Sequence, residues 1–216
     1  MNHYIRKADL KDENLIRELY CAVAEASQGL ARRPEEVTSD FVSALLRSST
    51  THGLIMVLEN AESRQIDGII HATFGEIEDL RHVMGNLTVL VRPRLQGQRL
   101  GKTLFMTFLE GIRRDFPFIY RVELRARSSN FSALGLYESL GFIREGFFRS
   151  RIRNREGGFE DGIPMVWFNP DWNDPSTRTE YPQRDHLIQR DRDLSSFWFF
   201  RVSCGAQGVV SIRVGA

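Results

Sequence analysis

The chain has 216 residues, 42% of them apolar and 26% charged, with 29 basic and 28 acidic side chains and a formal net charge of +1. That composition suits a globular protein of one large domain, or of one domain with an appendage. The charge balance supplies no global field to draw the chain onto nucleic acid or an anionic membrane, and no apolar run reaches spanning length, so neither is an expected partner.

In chain order, HYIRKA (residues 3 to 8) has the character of a short strand. Asp9 to Asp12 offer caps for a helix through LIRELYCAVAEA, in which Leu15, Leu19 and Val23 share one face. SDFVSALLRSS predicts a second helix, capped by Ser39 or Asp40, with Phe41, Ala44 and Leu45 at helical spacing. GLIMVLEN and IDGIIHATF are two strands around the polar turn NAESRQ, a hairpin pattern. GNLTVLV, residues 85 to 91, is a further strand closed by Pro93. KTLFMTFLEGIRRDF then carries Leu104, Phe108 and Ile112 in helical register. FIYRVELRAR alternates Val122, Leu124 and Ala126 against Arg121, Glu123, Arg125 and Arg127. FSALGLYESLGF is a short helix ended by Gly141, and FIREGFFRSRIR and EDGIPMVWF are closing strands joined by NREGGF. The order β-α-α-β-β-β-α-β-α-β-β predicts an α/β fold, one mixed central sheet with helices on its faces.

Residues 1 to 172 form the expected domain, and 173 to 216 read as a C-terminal extension. NDPSTRTEYPQRDHLIQRDRD is polar, proline-bearing and aperiodic, the character of a linker or disordered segment. FWFFRVSCGAQGVVSIRVGA offers two strand-like pieces around a glycine-bearing turn. An isolated hairpin is marginal in water, so these pieces have no assigned role: they pair with the main sheet or with a second subunit, as in a homodimer, or stand outside the functional unit. Cys21 and Cys204 match no metal-ligand spacing, and the N-terminus lacks the apolar core of a signal peptide. A reducing cytoplasm and the absence of a bound metal are the corresponding expectations.

The stretch QGQRLGKT, residues 96 to 103, resembles a phosphate loop with a residue missing. A P-loop places four residues between its glycines to close a ring of N–H groups around a phosphate; here only Gln98, Arg99 and Leu100 intervene. A triphosphatase also needs a carboxylate on a neighbouring strand end for magnesium, and FIYRVELRAR ends in arginines. A strand entering a glycine-bearing loop and then a helix still makes an anion site, because the first helical turn has N–H groups without partners. A pyrophosphate fits that description without a metal.

Three separately placed motifs carry a resemblance over roughly residues 3 to 170. Val91-Arg92-Pro93 leads into Gln96-Gly97-Gln98-Arg99-Leu100-Gly101, NFSALGLYESLGFIREG follows some forty residues on, and GGFEDGIPMVW closes the region. Together they are similar to the motifs of the GCN5-related N-acetyltransferases (GNAT), which bind acetyl-CoA. The resemblance implies a GNAT-like sheet and acetyl transfer to a small amine, an amino acid or a peptide N-terminus. It implies that the backbone of Val89, Leu90 and Val91 pairs with the pantetheine arm. Gln96, Gly97, Gln98, Arg99, Leu100, Gly101 and Lys102 would hold the pyrophosphate, with Asn130 beside the pantetheine. Tyr137 matches the family tyrosine whose hydroxyl lies near the sulfur, a proton donor for the leaving thiolate. Its alternative role is that of a core aromatic.

Two departures bear on the chemistry. Arg99 stands where the family usually has glycine. If residue 99 belongs to the first helical turn, its side chain points outward and its N–H still donates; if the glycine serves its backbone angles, affinity for CoA falls. On the strand where many relatives have a carboxylate base, this chain has Gly85 and Asn86. Asn86 can orient a water without taking its proton. Glu76, Glu78, Asp79 and His82 lie nearby, and His82 ranks first on its ordinary titration range. Arg149, Arg151, Arg153 and Arg155 alternate, which on a strand puts them on one face; the resemblance places this region near the acceptor site, where they would hold a carboxylate or an acidic peptide, and otherwise they are a solvated face. The resemblance implies that Asp161 sits where it makes a structural or substrate-amine contact. Arg99 and the missing carboxylate keep a second reading open, a non-catalytic relative that binds without transferring acetyl.

Overall fold

The computed structural model describes residues 2–26, 29–172, 203–204 and 210–213. Strand β1 (Asn2–Lys7) leads into a single 3-10 turn at Leu10–Asp12 and helix α1 (Glu13–Ala26). Asp9 caps this entry: its carboxylate accepts from the Lys11 N–H while the Asp12 carboxylate accepts from the Asp9 N–H. Helix α2 (Ser39–Thr51) is capped by Thr38, one residue before the expected caps, because its hydroxyl reaches the Phe41 N–H. The buried stripe of α2 is Val42, Leu45, Leu46 and Ser49, so of the expected Phe41, Ala44 and Leu45 only Leu45 belongs to it.

Strands β2 (Gly53–Asn60) and β3 (Ile66–Phe74) form the expected hairpin, followed by β4 (Val83–Val91) and helix α3 (Leu100–Asp115). Strand β5 (Arg121–Arg127), helix α4 (Phe131–Ser139) and strands β6 (Ile143–Arg144), β7 (Phe148–Arg153) and β8 (Phe159–Phe168) come next. FIREGFFRSRIR, expected as one strand, is thus two pieces, parted where Gly146 takes φ 145. Two short strands of the extension, β9 (Ser203–Cys204) and β10 (Val210–Arg213), complete the described chain.

The strands form a single sheet in the order β6-β8-β5-β4-β3-β2-β1-β10-β9, with β7 also on β8. Every pairing is antiparallel except β4 with β5. Alternate residues of β2 divide between two apolar layers. Leu54, Met56 and Leu58 pack with Leu104, Phe105 and Phe108 of α3, while Ile55 and Val57 pack with Leu19, Val23 and Leu46 of α1 and α2. Both faces of the central hairpin are therefore covered, which is why GLIMVLEN reads as an almost unbroken apolar run.

The edge of β1 is occupied by the extension: Asn2 opposes Arg213 and Ile5 opposes Val210. One strand-like piece of the tail thus pairs with the main sheet. The expected linker NDPSTRTEYPQRDHLIQRDRD lies outside the described residues. Among the described residues no helix is long and apolar enough to cross a membrane.

Candidate active site

The site begins at a bulge. His71 on β3 opposes Thr88 on β4 and Thr73 opposes Gly85, so Ala72 faces two residues, Asn86 and Leu87. Asn86 holds the left-handed conformation (φ 53) and donates from Nδ2 to the Thr73 hydroxyl at 3.2 Å. A bulge bends its strand and increases the twist. Strand β4 accordingly pairs with β5 only at Val83–Arg121 and Met84–Val122 before the two diverge. Beyond Met84, the β5-facing edge of β4 through Val89, Leu90 and Val91 has no partner strand among the described residues. An extended, amide-bearing chain fits such an edge as an added strand.

At the open end of this slot the chain turns through Pro93–Leu95 into the glycine loop. Arg92, the last residue before that turn, is pinned to β3: its N–H meets the Asp67 carbonyl at 2.8 Å and its Nε meets the buried Asp67 carboxylate at 2.8 Å. His3 Nε2 lies 3.0 Å from the same carboxylate. Gln96 donates from Nε2 to the Val91 carbonyl at 3.1 Å, and Gln98 from Nε2 to the Arg94 carbonyl. Gly97 takes φ 79, which a residue without Cβ adopts freely. Gly101 starts α3 so close to β4 that a Cβ there would stand 3.3 Å from Val91 Cγ2.

Among the described residues, the main-chain N–H groups from Gly97 through Lys102 donate to no protein acceptor; the first to do so is Thr103, to the Arg99 carbonyl. The first turn of α3 holds no acidic residue, and neither Arg99 nor Lys102 forms an ion pair. Positive side chains beside the positive end of a helix, with a row of free N–H groups, constitute a site for a polyanion.

Arg99 does not sit in the first helical turn. It precedes α3 as the N-cap at φ 61, ψ 0. Glycine suits this position for its backbone angles, so the premise that residue 99 lies within the helix is corrected. The chain nevertheless completes the turn with arginine, its carbonyl accepting from both the N–H and the hydroxyl of Thr103. Arg99→Gly is expected to stabilise the protein by about 0.5 to 1 kcal/mol, the left-handed cost less the entropy of a freer unfolded chain. Urea denaturation checks this, and an unchanged midpoint would show that the turn stores no strain.

Asn130 caps α4, its carbonyl oxygen accepting from the Ala133 N–H, which leaves its amide N–H groups for a ligand. Tyr137 is half-buried on α4 between Phe105 and Phe142, with ring centroids 5.7 and 6.1 Å away. Burial pushes its hydroxyl up to about 12. Tyr137 lies on the α3 face of the sheet, where Val89 and Val91 also pack.

The opposite face carries an open cleft of about 1070 Å³ between α1, α2 and the diverging strands. Phe41 and Ala44, absent from the buried stripe of α2, line it. At its wall the Tyr20 hydroxyl and His71 Nε2 are 2.8 Å apart and buried. Desolvation lowers His71 to about 4 and raises Tyr20, so both are neutral near pH 7. Glu123 also lines the cleft, immediately after Val122, the last β5 residue paired with β4. Arg121 bridges Glu123 and Glu145 at 2.8 and 2.7 Å.

The cleft brings in Asn86 but not His82. His82 precedes β4 at the closed end of the slot, where its carbonyl accepts from Tyr120 and Arg121, so the expectation of a base there does not fit its position. Glu76 and Glu78 are exposed and face His52 and Arg81, and Asp79 is exposed on the same connection. Glu123, read from the sequence only as part of an alternation, and Glu145 are the carboxylates that line the cleft.

The arginines of β7 do not share one face. Phe148 opposes Gly162 and Ile152 opposes Glu160, so extra residues bulge between them, with Ser150 at φ 49. Asp161 holds that bulge, its carboxylate accepting from the Ser150 N–H at 2.8 Å, a structural role. Arg151 lies over the Phe148 ring and beside Gly162, whereas Arg153 opposes Phe159, one register position beyond Ile152. Arg155 lies past the strand and donates to the Ala24 carbonyl of α1 at 2.5 Å.

Residues 41–142 match the family model of the Acetyltransferase (GNAT) family. Over 82 residues the chain is 39% identical to the N-terminal acetyltransferase B complex catalytic subunit NAA20 of Arabidopsis thaliana, a match covering 38% of this chain and 44% of that relative. It thus spans less than half of the curated relative's length. A GNAT-family acetyltransferase from Streptococcus pneumoniae shares the fold with a TM-score of 0.71 and 21% identity, covering 77% of this chain and 99% of that one. The Salmonella typhimurium protein yncA, solved with its cofactor acetyl-CoA, gives 0.66 at 23% identity, covering 79% and 96%. A ribosomal-protein-alanine N-acetyltransferase from Brucella melitensis gives 0.66 at 19%, covering 76% and 98%.

Proposed function

We propose that this chain, which belongs to the GNAT acetyltransferase family, moves the acetyl group of acetyl-CoA onto a primary amine by direct attack. The acceptor is a polypeptide N-terminus or a small amine. The observation that carries the reading is the continuity of the free N–H row at Gly97–Lys102 with the unpaired edge of β4. The loop holds a pyrophosphate and the edge a pantetheine, which leaves the thioester at the bulge. The names of the relatives, an N-terminal acetyltransferase subunit and a ribosomal-protein-alanine N-acetyltransferase, favour a polypeptide acceptor.

In this reading the slot between β4 and β5 is reached from both faces of the sheet, donor from the α3 side and acceptor from the cleft. Glu123 takes the proton of the incoming ammonium, directly or through a water that Asn86 orients. An N–H of the β4 edge donates to the thioester oxygen as it gains charge. The new C–N bond forms at the carbonyl carbon, the C–S bond breaks, and the nitrogen releases its second proton to solvent. Tyr137 donates a hydrogen bond to the departing sulfur, which takes its proton from solvent.

The test is a titration of the purified chain with acetyl-CoA, with Mg-ATP as control, followed by thiol release in the presence of peptides and small amines. Saturable acetyl-CoA binding with amine-dependent thiol release is expected. Binding without thiol release from any amine would put the non-catalytic reading in its place.

A further inference from the structure

Asp67 is fully buried near the start of the apolar run IDGIIHATF. It stands at a bulge of β3, where Leu58 opposes Gly68 and Glu59 opposes Ile66, so Asp67 is the extra residue. A bulge re-aims a side chain, and this carboxylate meets groups from two other strands and the turn after β4. One oxygen accepts from Arg92 Nε at 2.8 Å, with the Arg94 guanidinium 3.7 Å away, and the other lies 3.0 Å from His3 Nε2. Arg92 also donates from Nη2 to the Ile66 carbonyl at 2.9 Å, and Arg94 from Nη2 to the Gln65 side-chain oxygen at 2.8 Å. With the Arg92 N–H on the Asp67 carbonyl, Arg92-Pro93-Arg94 is fastened to residues 65–67 by main chain and side chains alike.

The glycine loop springs from this fastened segment. Gln96 and Gln98 reach back to the Val91 and Arg94 carbonyls at 3.1 and 3.4 Å, and the buried Leu95 and Leu100 close the two ends. We propose that Asp67 is a positioning residue for the donor: through Arg92 and Arg94 it sets the angle at which the loop presents its N–H groups to the pyrophosphate. The inference rests on the acetyl-CoA reading above and adds a residue to it.

Stability alone does not account for a carboxylate at this point. Burying it carries a desolvation cost that its partners offset, and apolar side chains of the same volume would hold the strands about as well. Apolar packing lacks direction. Two nitrogens of one planar guanidinium engage the Asp67 carboxylate and the Ile66 carbonyl together, which fixes both the position and the roll of Arg92. Gly68, the next residue, brings β3 against both halves of the donor site: a Cβ there would stand 3.2 Å from Leu104 Cδ2 of α3 and 3.3 Å from the Leu90 carbonyl. The unpaired edge of β4, the root of the loop and α3 therefore converge on the Asp67-Gly68 step. A loop already held in its bound shape gives up little further freedom when the ligand arrives.

The experiment measures acetyl-CoA affinity by calorimetric titration for the unaltered chain, Asp67→Asn, Arg92→Gln and the double variant, with circular dichroism reporting the fold. Each variant should bind roughly tenfold more weakly, the effect of having to order one or two loop side chains on binding. The double variant should lose no more than either single one, because the same pair is broken in all three. In steady state the loss should fall on the KM for acetyl-CoA rather than on kcat, since the loop holds the donor far from its thioester. The double variant leaves neither half of the Asp67–Arg92 pair charged, so it serves as the test if Asp67→Asn alone does not fold. Unchanged affinity in the folded double variant would overturn the inference and show that Leu95 and Leu100 hold the loop unaided. So would losses that multiply in the double variant, the mark of two independent contacts, or a fall in kcat at unchanged KM. An unaltered chain that binds no acetyl-CoA would overturn the donor reading and this inference with it.

Discussion

Replacing Tyr137 by phenylalanine is expected to lower kcat by about 10- to 100-fold while the KM for acetyl-CoA changes little. The loss corresponds to one hydrogen bond to a charged group, about 1.5 to 3 kcal/mol, made to a sulfur that is negative only as it leaves. The environment of the residue fixes which role it can take. Burial raises its hydroxyl to about 12, whereas an ordinary thiol titrates near 8.5, so complete proton transfer to the thiolate runs uphill by roughly 3 to 4 pH units. In the proposed mechanism Tyr137 therefore serves as a hydrogen-bond donor, and the proton that ends on sulfur comes from solvent. Because the phenol stays protonated far above neutrality, the activity profile should show no alkaline decline assignable to it below about pH 11. Steady-state rates of the Tyr137→Phe protein decide the matter: kcat within twofold of the unaltered protein would reduce Tyr137 to a core aromatic between Phe105 and Phe142.

The fold was largely legible because its elements keep clean periods. Leu104, Phe108 and Ile112 recur at helical spacing and all are fully buried on α3; Val122, Leu124 and Ala126 alternate and face the same layer. What escaped was the departure from regularity that makes the site. Gly85-Asn86 inside an aliphatic run is a bulge signal, a small residue followed by one that tolerates the left-handed region. Read only for a missing base, that dipeptide concealed the bend that parts β4 from β5. The same limit applies to β7, where alternation of arginines predicted one shared face. Nothing local announces that Ser150 would turn left-handed, because the bulge is held by Asp161 from the neighbouring strand. Tertiary partners decided both.

The candidate base shows a different failure. Its ordinary titration range favoured His82 among the residues near in sequence, but parallel pairing of β4 with β5 carries Glu123 to the mouth of the slot from far along the chain. A crossover through α3 separates the two strands in sequence, so no spacing rule joins them. His71 escaped for a similar reason. It is an apparently misplaced polar residue in the apolar run IDGIIHATF, and its partner Tyr20 comes from α1.

That buried pair has a measurable cost in acid. Unfolded, His71 titrates near its ordinary 6.5; folded, desolvation lowers it to about 4. Above pH 6.5 neither state binds the proton and the folded state loses nothing. Between 6.5 and 4 the unfolded chain takes up a proton that the folded chain refuses, so stability falls as pH falls. The slope disappears once both states are protonated, below about 4. At about 1.4 kcal/mol per unit the whole interval costs on the order of 3 kcal/mol, a large share of the 5 to 15 kcal/mol of a typical domain. His71→Gln retains a hydrogen-bonding amide for Tyr20 and removes the titration. Urea unfolding at pH 7 and at about pH 4.5 should therefore show a markedly smaller acid loss in the variant, by about 2 to 3 kcal/mol. Carboxylates that titrate in the same range contribute equally to both proteins and cancel in the comparison. Equal acid losses would place the proton uptake elsewhere and show that the folded protein accommodates a charged His71. The charge would then stand at the wall of the cleft, which in the proposed reaction receives the acceptor's own ammonium.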